Sequence, residues 1–279
     1  FGCERAAYYG ESIRDERGWR LSFPQPERVH FGKAIDVLHM TFMQRLVSTG
    51  EIGSVESAVD LAYHAGMFGE WTEEPDTDTF RVQITNAARL LVGEVGHKEQ
   101  DGVPLDWLPL DGISMQGFNG QSIEIPAMFG ERPMVATPDY LWSEDGEITA
   151  WLDVKATDRA FSYPDKWLGA EAAVYTLACT MTNGGVAPRR IGYLEYRRNA
   201  KPYWHLTWTE EPALLNRLAD RYVVRWRKAL AAGDPDLLSF NPSRCKECEY
   251  SRPIPGVGFE GCPVGMILPS LKEGATDGD

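Results

Sequence analysis

The sequence predicts an α/β protein, because a helical pattern is followed by a strand pattern that one helix interrupts. Between about residues 32 and 96, apolar residues recur at three- and four-residue intervals, which is the period of amphipathic helices. From residue 122 onward, short runs rich in β-branched and aromatic residues alternate with turn residues, which is typical of strands. An Ala-rich helical stretch at 166–185 then crosses between strands. The order favours an α/β core with a helical elaboration before the sheet.

The elements follow in this order along the chain. The helical stretches before the sheet are 31–50, 55–69 and 80–96, and we assign 40–110 as a helical insertion within a single domain, 1–279. The predicted strands are 122–129, 133–142, 147–156, 190–198 and 203–209. A long amphipathic helix at 211–233 ends at a glycine and precedes a tail rich in Pro, Gly and Cys.

Composition excludes several classes of protein. Hydrophobic residues make up 43% of the chain and charged residues 25%, which is typical of a globular protein and not of a disordered one. No apolar run approaches the roughly 18 to 20 residues of a membrane helix. The net charge of −13 argues against a general nucleic-acid coat, so DNA binding would need a local basic track.

The cysteines indicate a metal or cluster site. There are five, and Cys245, Cys248 and Cys262 lie close together near the C-terminus. An odd number in this grouping favours ligation in a reducing, intracellular compartment over a secreted disulfide framework. Three thiolates leave a tetrahedral site one ligand short, and Cys3 and Cys179 are the candidates for the fourth.

The stretch 137–157, TPDYLWSEDGEITAWLDVKAT, predicts a hairpin whose register decides whether a site forms. A two-residue loop at Asp145-Gly146 would set Asp139 opposite Leu152 and point Asp153 to the other face. A three-residue loop that begins at Glu144 would put Asp139 on the same face as Asp153, since strand side chains repeat every two residues. The sequence leaves the register open. A site requires an odd loop, or a bulge with the same effect.

Converging carboxylates in this hairpin would form a site for a hard cation. Asp139, Asp153 and the backbone carbonyl of Val154 could hold Mg²⁺ or Mn²⁺, while Lys155 orients a water molecule or stabilises charge on a phosphate. The alternative is a surface hairpin with solvated charges.

The PD of TPDY and the DVK of WLDVK resemble the PD-(D/E)XK nuclease motif in its RecB-like branch. The resemblance implies a restriction-endonuclease-like core, with a mixed central sheet flanked by helices. It also implies a following helix with Gln-x-x-x-Tyr, and this chain has Glu171 and Tyr175 at those positions, which makes them candidate catalytic residues. A metal-binding histidine of the family corresponds to Asp36 in Gly32-x-x-x-Asp36; His39 is a possible substitute.

Some RecB-like nucleases, of the AddB type and among CRISPR-associated proteins, carry a 4Fe–4S cluster bound by one early and three late cysteines. The stretch around Cys3, FGCERAAYY, and the closing group of three cysteines are similar to theirs. The resemblance implies a cluster held by Cys3, Cys245, Cys248 and Cys262, so that residues 1–10 and 240–265 form an iron–sulfur region. Structural zinc on the same four thiolates is the alternative.

The expected function is therefore that of a metal-dependent DNA nuclease, acting on single strands or duplex ends. Arg197, Arg198 and Lys201 are the candidate DNA-binding cations, beside three aromatic residues that could stack on bases, Tyr196, Tyr203 and Trp204. A helicase, recombinase or integrase is a possible protein partner. The competing hypotheses are an inactive nuclease-like binding module and a zinc-stabilised interaction domain.

Overall fold

The computed structural model describes residue 9 and residues 13–18, 21–96, 103–115, 123–129, 132–157, 170–198, 201–209, 213–238 and 248–263. Side chains are described throughout these ranges except at 123–135, 170, 213–214, 216–223 and 251. The chain divides into two compact units where the sequence predicted one domain. The first comprises residues 24–126 and 133–219; the second comprises 1–23, 127–132 and 220–279.

Three consecutive helices begin the larger unit: α1 (Glu27–Thr49), α2 (Val55–Met67) and α3 (Thr77–Leu91). The first ends at Gly50, whose φ of 73° is the left-handed conformation that glycine adopts without steric cost. Side-chain caps fix the starts of the other two, because Ser54 accepts from the Ser57 N–H and Asp76 from the Thr79 N–H. The predicted insertion boundary at residue 40 falls inside α1, so the first helix is continuous across it.

Five strands of the larger unit form one mixed sheet, and the α/β class is confirmed. The strands are β1 (Ile113–Met115), β4 (Tyr140–Glu144), β5 (Glu147–Thr157), β6 (Arg190–Arg197) and β7 (Tyr203–Thr209), in that spatial order. Only β5 and β6 are parallel, and α4 (Ala170–Thr182) connects them. The strands β2 (Ile123–Phe129) and β3 (Arg132–Ala136) form a separate two-stranded sheet, and α5 (Ala213–Ala232) follows β7.

The helices α1 to α3 cover one face of the five-stranded sheet and share its hydrophobic core. They are therefore a structural layer of the core, and not an appendage to it. The fully buried members of this layer include Phe31, Ile35, Leu38 and Phe42 of α1, Phe80 and Ile84 of α3, and Tyr140, Leu152, Leu194, Tyr196 and Trp204 of the sheet. The opposite face carries Trp151, Asp153 and Lys155, and α4 packs there, since the Trp151 indole N–H donates to the Thr176 hydroxyl at 3.3 Å.

The smaller unit brings the N-terminal segment together with the tail of the chain. Tyr9 packs its ring against Phe259, with centroids 4.8 Å apart, and against Tyr250 at 5.8 Å. Cys262 is a buried member of the same cluster, and the half-buried Cys248 packs against it. Aromatic and cysteine side chains therefore form a second, small core.

Within the ranges described above, no helix is both long enough and apolar enough to cross a lipid bilayer.

Candidate active site

The hairpin between β4 and β5 has an even loop and a bulge. Asp145 and Gly146 both have positive φ, 51° and 84°, which is the signature of a two-residue type I′ turn. Glu144 pairs with Glu147, so of the two loops that the sequence left open the chain forms the two-residue one. Two positions further on, Ser143 pairs with Ile148 but Trp142 pairs with Ala150, which leaves Thr149 as an extra residue.

This bulge decides where the carboxylates lie. Beyond it Tyr140 pairs with Leu152, and continuing that register sets Asp139 against Asp153. The Asp139 carboxylate accepts a hydrogen bond from the backbone N–H of Val154 at 2.7 Å, which fixes it beside β5. The bulge thus brings the two aspartates together, although the even loop alone would have separated them.

Asn183, which follows α4, supports the strand at the bulge. Its side-chain oxygen accepts from the Ile148 N–H at 2.8 Å, and its amide donates to the Ile148 carbonyl at the same distance. The amide also donates to the Val186 carbonyl at 3.2 Å. The Asn183 side chain therefore satisfies both backbone groups of Ile148 on that side, beside the point where the pairing becomes irregular.

Lys155 lies between two carboxylates. Its ammonium Nζ is 2.5 Å from Asp153 Oδ2 and 2.9 Å from Glu171 Oε1. The Tyr175 hydroxyl donates to the same Glu171 oxygen at 3.3 Å, as expected for residues four apart on one helical face. Burial by itself would lower the pKa of Lys155, but the charges of Asp153 and Glu171 more than offset this and raise it. The two carboxylates consequently favour the protonated, cationic form of Lys155.

The carboxylates of this group repel one another. Burial raises the pKa of Asp153 well above its usual range, and the negative charge of Asp139 raises it further. Burial likewise raises the pKa of Asp139 to about 7, with a further contribution from Asp36. These shifts mean that the two aspartates disfavour each other's charged forms, so this pair retains a proton at a pH at which isolated carboxyls have lost theirs.

Asp36 belongs to the same group of charges although it comes from α1. Desolvation of its carboxylate by the surrounding protein raises the pKa of Asp36. The negative charge of Asp153 raises it further, and the positive charge of Lys155 lowers it. Asp36 also keeps solvent access, unlike the buried Asp153, so it lies where a ligand from solution can reach it.

The three aspartates of the cluster are of the residue type that binds a hard divalent cation. In the part of the chain that the structure describes, no three carboxylate, imidazole or thiol groups stand at ligand spacing. Asp36, Asp139 and Asp153 nevertheless supply the oxygen ligands that Mg²⁺ and Mn²⁺ prefer, and their mutual repulsion is what such a cation relieves. A bound cation would require these side chains to move to ligand spacing, and one of the Asp153 oxygens is at present in contact with Lys155.

His39 does not take the place of the histidine that the resemblance implies. Its side chain is fully buried in the helical layer, and its Nδ1 hydrogen-bonds to the Tyr140 hydroxyl. Burial lowers the pKa of His39 to about 3, so the ring is neutral at ordinary pH. The residue that occupies the site from α1 is therefore Asp36.

The candidate DNA-binding cations differ in their availability. Arg197 donates to the Tyr203 hydroxyl at 2.6 Å and pairs with the buried Glu195 at 3.3 Å. Arg198 pairs with Glu27 at 2.5 Å and lies over the Phe31 ring. Both guanidinium groups have partners inside the protein and are largely buried or half-buried, and Lys201 differs from them in being exposed to solvent.

Two of the three aromatic side chains expected to stack on bases are unavailable for it. Tyr196 and Trp204 are almost completely buried, and Trp204 donates its indole N–H to the Ala87 carbonyl. The alternation of residues along a strand does not say which face of the sheet is buried. In the structure Tyr196 and Trp204 lie on the face that the three helices cover, and so belong to the core. Tyr203 is only half-buried, with the Arg197 guanidinium 5.2 Å above its ring.

The cysteines fall into two environments. Cys248 and Cys262 share the small core of the second unit, where the Cys262 N–H donates to the Tyr250 carbonyl at 2.6 Å. Cys3 and Cys245 lie outside the described residues. Cys179 is buried in α4 of the other unit, where burial raises the pKa of its thiol to about 12, which is typical of a structural cysteine.

Three residues that the sequence did not single out support the site. Trp151 packs edge-on against Tyr175, with ring centroids 5.4 Å apart, and against Tyr193 at 5.6 Å. Tyr193 pairs with Asp153 in the register of β5 and β6. The Asn-Gly-Gly signal at 183–185 marked a helix end, but the contact of Asn183 with Ile148 is long-range and no local pattern predicts it.

Comparison of the chain with protein-family models, with curated proteins and with solved structures found no significant match.

Proposed function

We propose that this protein is a metal-dependent DNA nuclease with a PD-(D/E)XK-like core. The observation that carries the proposal is the grouping of Asp139, Asp153 and Lys155 on one sheet face, produced by the bulge at Thr149. Phosphodiester hydrolysis needs oxygen ligands for a cation next to a group that stabilises negative charge. The buried Asp153, the half-buried Asp139 and the ammonium of Lys155 offer this combination.

The proposed roles follow from the position of each group. Asp36, Asp139, Asp153 and the Val154 carbonyl would hold Mg²⁺ or Mn²⁺, which lowers the pKa of bound water and polarises the phosphodiester. Asp153 and Glu171 raise the pKa of Lys155, so Lys155 serves as a cation near the phosphate and not as a general base. Lys201 is the candidate for a contact with the DNA backbone.

A 4Fe–4S cluster on Cys3, Cys245, Cys248 and Cys262 is the second part of the proposal. Support comes from the packing of Cys248 and Cys262 in one small core with Tyr9, six residues after Cys3. The cluster would tie the first residues of the chain to its tail. DNA remains the proposed substrate, and a helicase, recombinase or integrase the proposed partner.

The test is cleavage of end-labelled single- and double-stranded DNA by purified protein with Mg²⁺, Mn²⁺ or EDTA. We expect Asp153→Asn and Lys155→Met to lower the cleavage rate by at least about 100-fold, as expected when transition-state electrostatics are lost. Glu144→Gln is the matched control, because Glu144 is an exposed carboxylate at the turn of the same hairpin and pairs only with Arg189 in the contacts described. Undiminished cleavage by Asp153→Asn would reject the assignment.

An inactive nuclease-like binding module is the second candidate. Two observations favour it. Glu171 stands where the RecB-like family has glutamine, and Lys155 is closely paired with Asp153, which occupies an oxygen that a metal would use. DNA binding without cleavage by the wild-type protein, in either metal, would support it.

A further inference from the structure

We propose that Glu171 is a positioning residue, which keeps the Lys155 ammonium at the site when a divalent cation takes the Asp153 carboxylate. The catalytic consequence rests on the proposed nuclease function, whereas the positioning is a property of three side chains and can be measured without DNA.

The geometry shows why Lys155 and a divalent cation compete for Asp153. The ammonium stands 2.5 Å from Asp153 Oδ2, so it takes up one of the oxygens that a metal would use. Only 3% of the Asp153 side chain is exposed, and its carboxylate has little freedom to serve both cations. A divalent ion bound there therefore weakens the hold of Asp153 on Lys155 and repels the ammonium.

Glu171 offers Lys155 a second anchor on the other element. Its Oε1 is 2.9 Å from the ammonium, and α4 supplies it independently of the β4–β5 hairpin. Glutamine at this position would keep an oxygen acceptor but would lose the charge that opposes repulsion by the metal. The glutamate thus has a physical role that the amide lacks.

Tyr175 fixes the orientation of this anchor. Its hydroxyl donates to the same Oε1 that accepts from Lys155, and its ring is set by edge contact with the buried Trp151. The three groups form a chain from the sheet core to the ammonium, so that losing the Tyr175 hydroxyl should loosen Glu171 without removing its charge.

The experiment measures the accessibility of the Lys155 amine by acetylation with a small amine-directed reagent, followed by peptide mass spectrometry. Wild-type protein, Glu171→Gln and Tyr175→Phe are compared with and without Mn²⁺, and Mn²⁺ binding is followed by electron paramagnetic resonance. Lys228, an exposed lysine on α5, gives the reference rate in every sample.

In wild-type protein we expect Mn²⁺ to change Lys155 labelling little. In Glu171→Gln we expect Mn²⁺ to raise it by about tenfold, the scale of one lost charge-assisted hydrogen bond. Tyr175→Phe should respond in the same direction by about threefold, since only a neutral hydrogen bond is lost. If cleavage is observed, Glu171→Gln should lower kcat and leave KM for DNA unchanged.

Equal labelling of wild-type protein and Glu171→Gln in Mn²⁺ would overturn the positioning role, even if the protein cleaves DNA. The expected labelling pattern without cleavage would uphold the positioning role and reject the nuclease. Failure of wild-type protein to bind Mn²⁺ would overturn both.

Discussion

Asp139 and Asp153 are carboxylates in surroundings that disfavour their charged forms. Burial is the largest cause of the raised pKa in both residues. The charge of Asp139 raises the pKa of Asp153 further, and the charge of Asp36 raises that of Asp139. Carboxylates in ordinary ion pairs have the opposite shift, because the partner cation stabilises the anion. At the residue scale the site is therefore a cluster of carboxyl groups around one internal cation, Lys155, in which ionising the aspartates costs free energy.

This predicts that the protein in EDTA loses stability as the pH rises. The pKa of Asp139 goes from 3.8 in the unfolded chain to about 7 in the fold, so the folded state binds more protons between those values. As far as this group is concerned, the free energy of unfolding should therefore be highest below about pH 4, should fall between about pH 4 and 7, and should level off above that. Urea unfolding at a series of pH values measures it.

Asp139→Asn should flatten this dependence, because asparagine keeps an oxygen for the Val154 N–H and carries no charge. Glu144→Gln is the control and should leave the slope unchanged. Identical pH slopes in wild-type protein and Asp139→Asn would contradict the assignment. Added Mg²⁺ should reverse the trend in wild-type protein, since a bound cation favours ionised carboxylates.

At the scale of elements, one extra residue in β5 determines the site. Thr149 is the residue that the pairing skips, and its hydroxyl donates to the Trp142 carbonyl at 3.3 Å. A bulge leaves backbone groups without partners in the ladder, and these must be satisfied elsewhere. The Arg189 N–H donates to the Thr149 carbonyl at 2.7 Å, and Asn183 satisfies Ile148.

Asn183→Ala should therefore destabilise the hairpin more than an ordinary turn substitution does. The change leaves two backbone groups of Ile148 without their partner, at a cost of about 1–3 kcal/mol in the free energy of unfolding. Because register and site are linked, the proposed nuclease activity should fall as well. Asn86→Ala, at an exposed position on α3, is the matched control and should be close to neutral. Equal denaturation midpoints for the two variants would show that the contact contributes nothing.

At the scale of the whole molecule, the chain forms two compact units with separate cores. The larger contains the sheet, the three-helix layer and the candidate active site. The smaller combines residues from both ends of the sequence, and the buried cluster that its described residues form is small, with Tyr9, Ala229, Leu238, Tyr250 and Cys262. Small cores of this kind usually need a staple such as a disulfide or a metal.

We expect the smaller unit to depend on its cysteines. Cys248→Ser and Cys262→Ser should abolish iron content and brown colour, and should make residues 1–23 and 220–279 susceptible to proteolysis. Cys179→Ser is the control, since its buried thiol belongs to the other unit and the colour should persist. Iron analysis, absorbance spectra and limited proteolysis measure these outcomes. Zinc in place of iron would favour the alternative metal, and well-folded wild-type protein free of both metals would reject the staple.

Local patterns predicted much of the secondary structure. The helices from Glu27 to Leu91 follow a 3.6-residue period, and the strands follow alternation and turn residues. The run 133–142 was predicted as one strand, but Thr137, Pro138 and Asp139 separate β3 from β4. Proline lacks the N–H that a continuous ladder needs, and this break leaves Asp139 just outside β4.

The sequence by itself determined most of the order of helices and strands, the type of residue available for a site, and the place of the turn around Asp145-Gly146. Only the tertiary structure decided the bulge at Thr149, the burial of Tyr196 and Trp204, and the reach of Asp36 to the charges around Lys155. The physical reason is the distance along the sequence over which each kind of interaction acts. Period and turn chemistry act over a few neighbouring residues, whereas register, burial and charge clustering depend on which distant segments pack together.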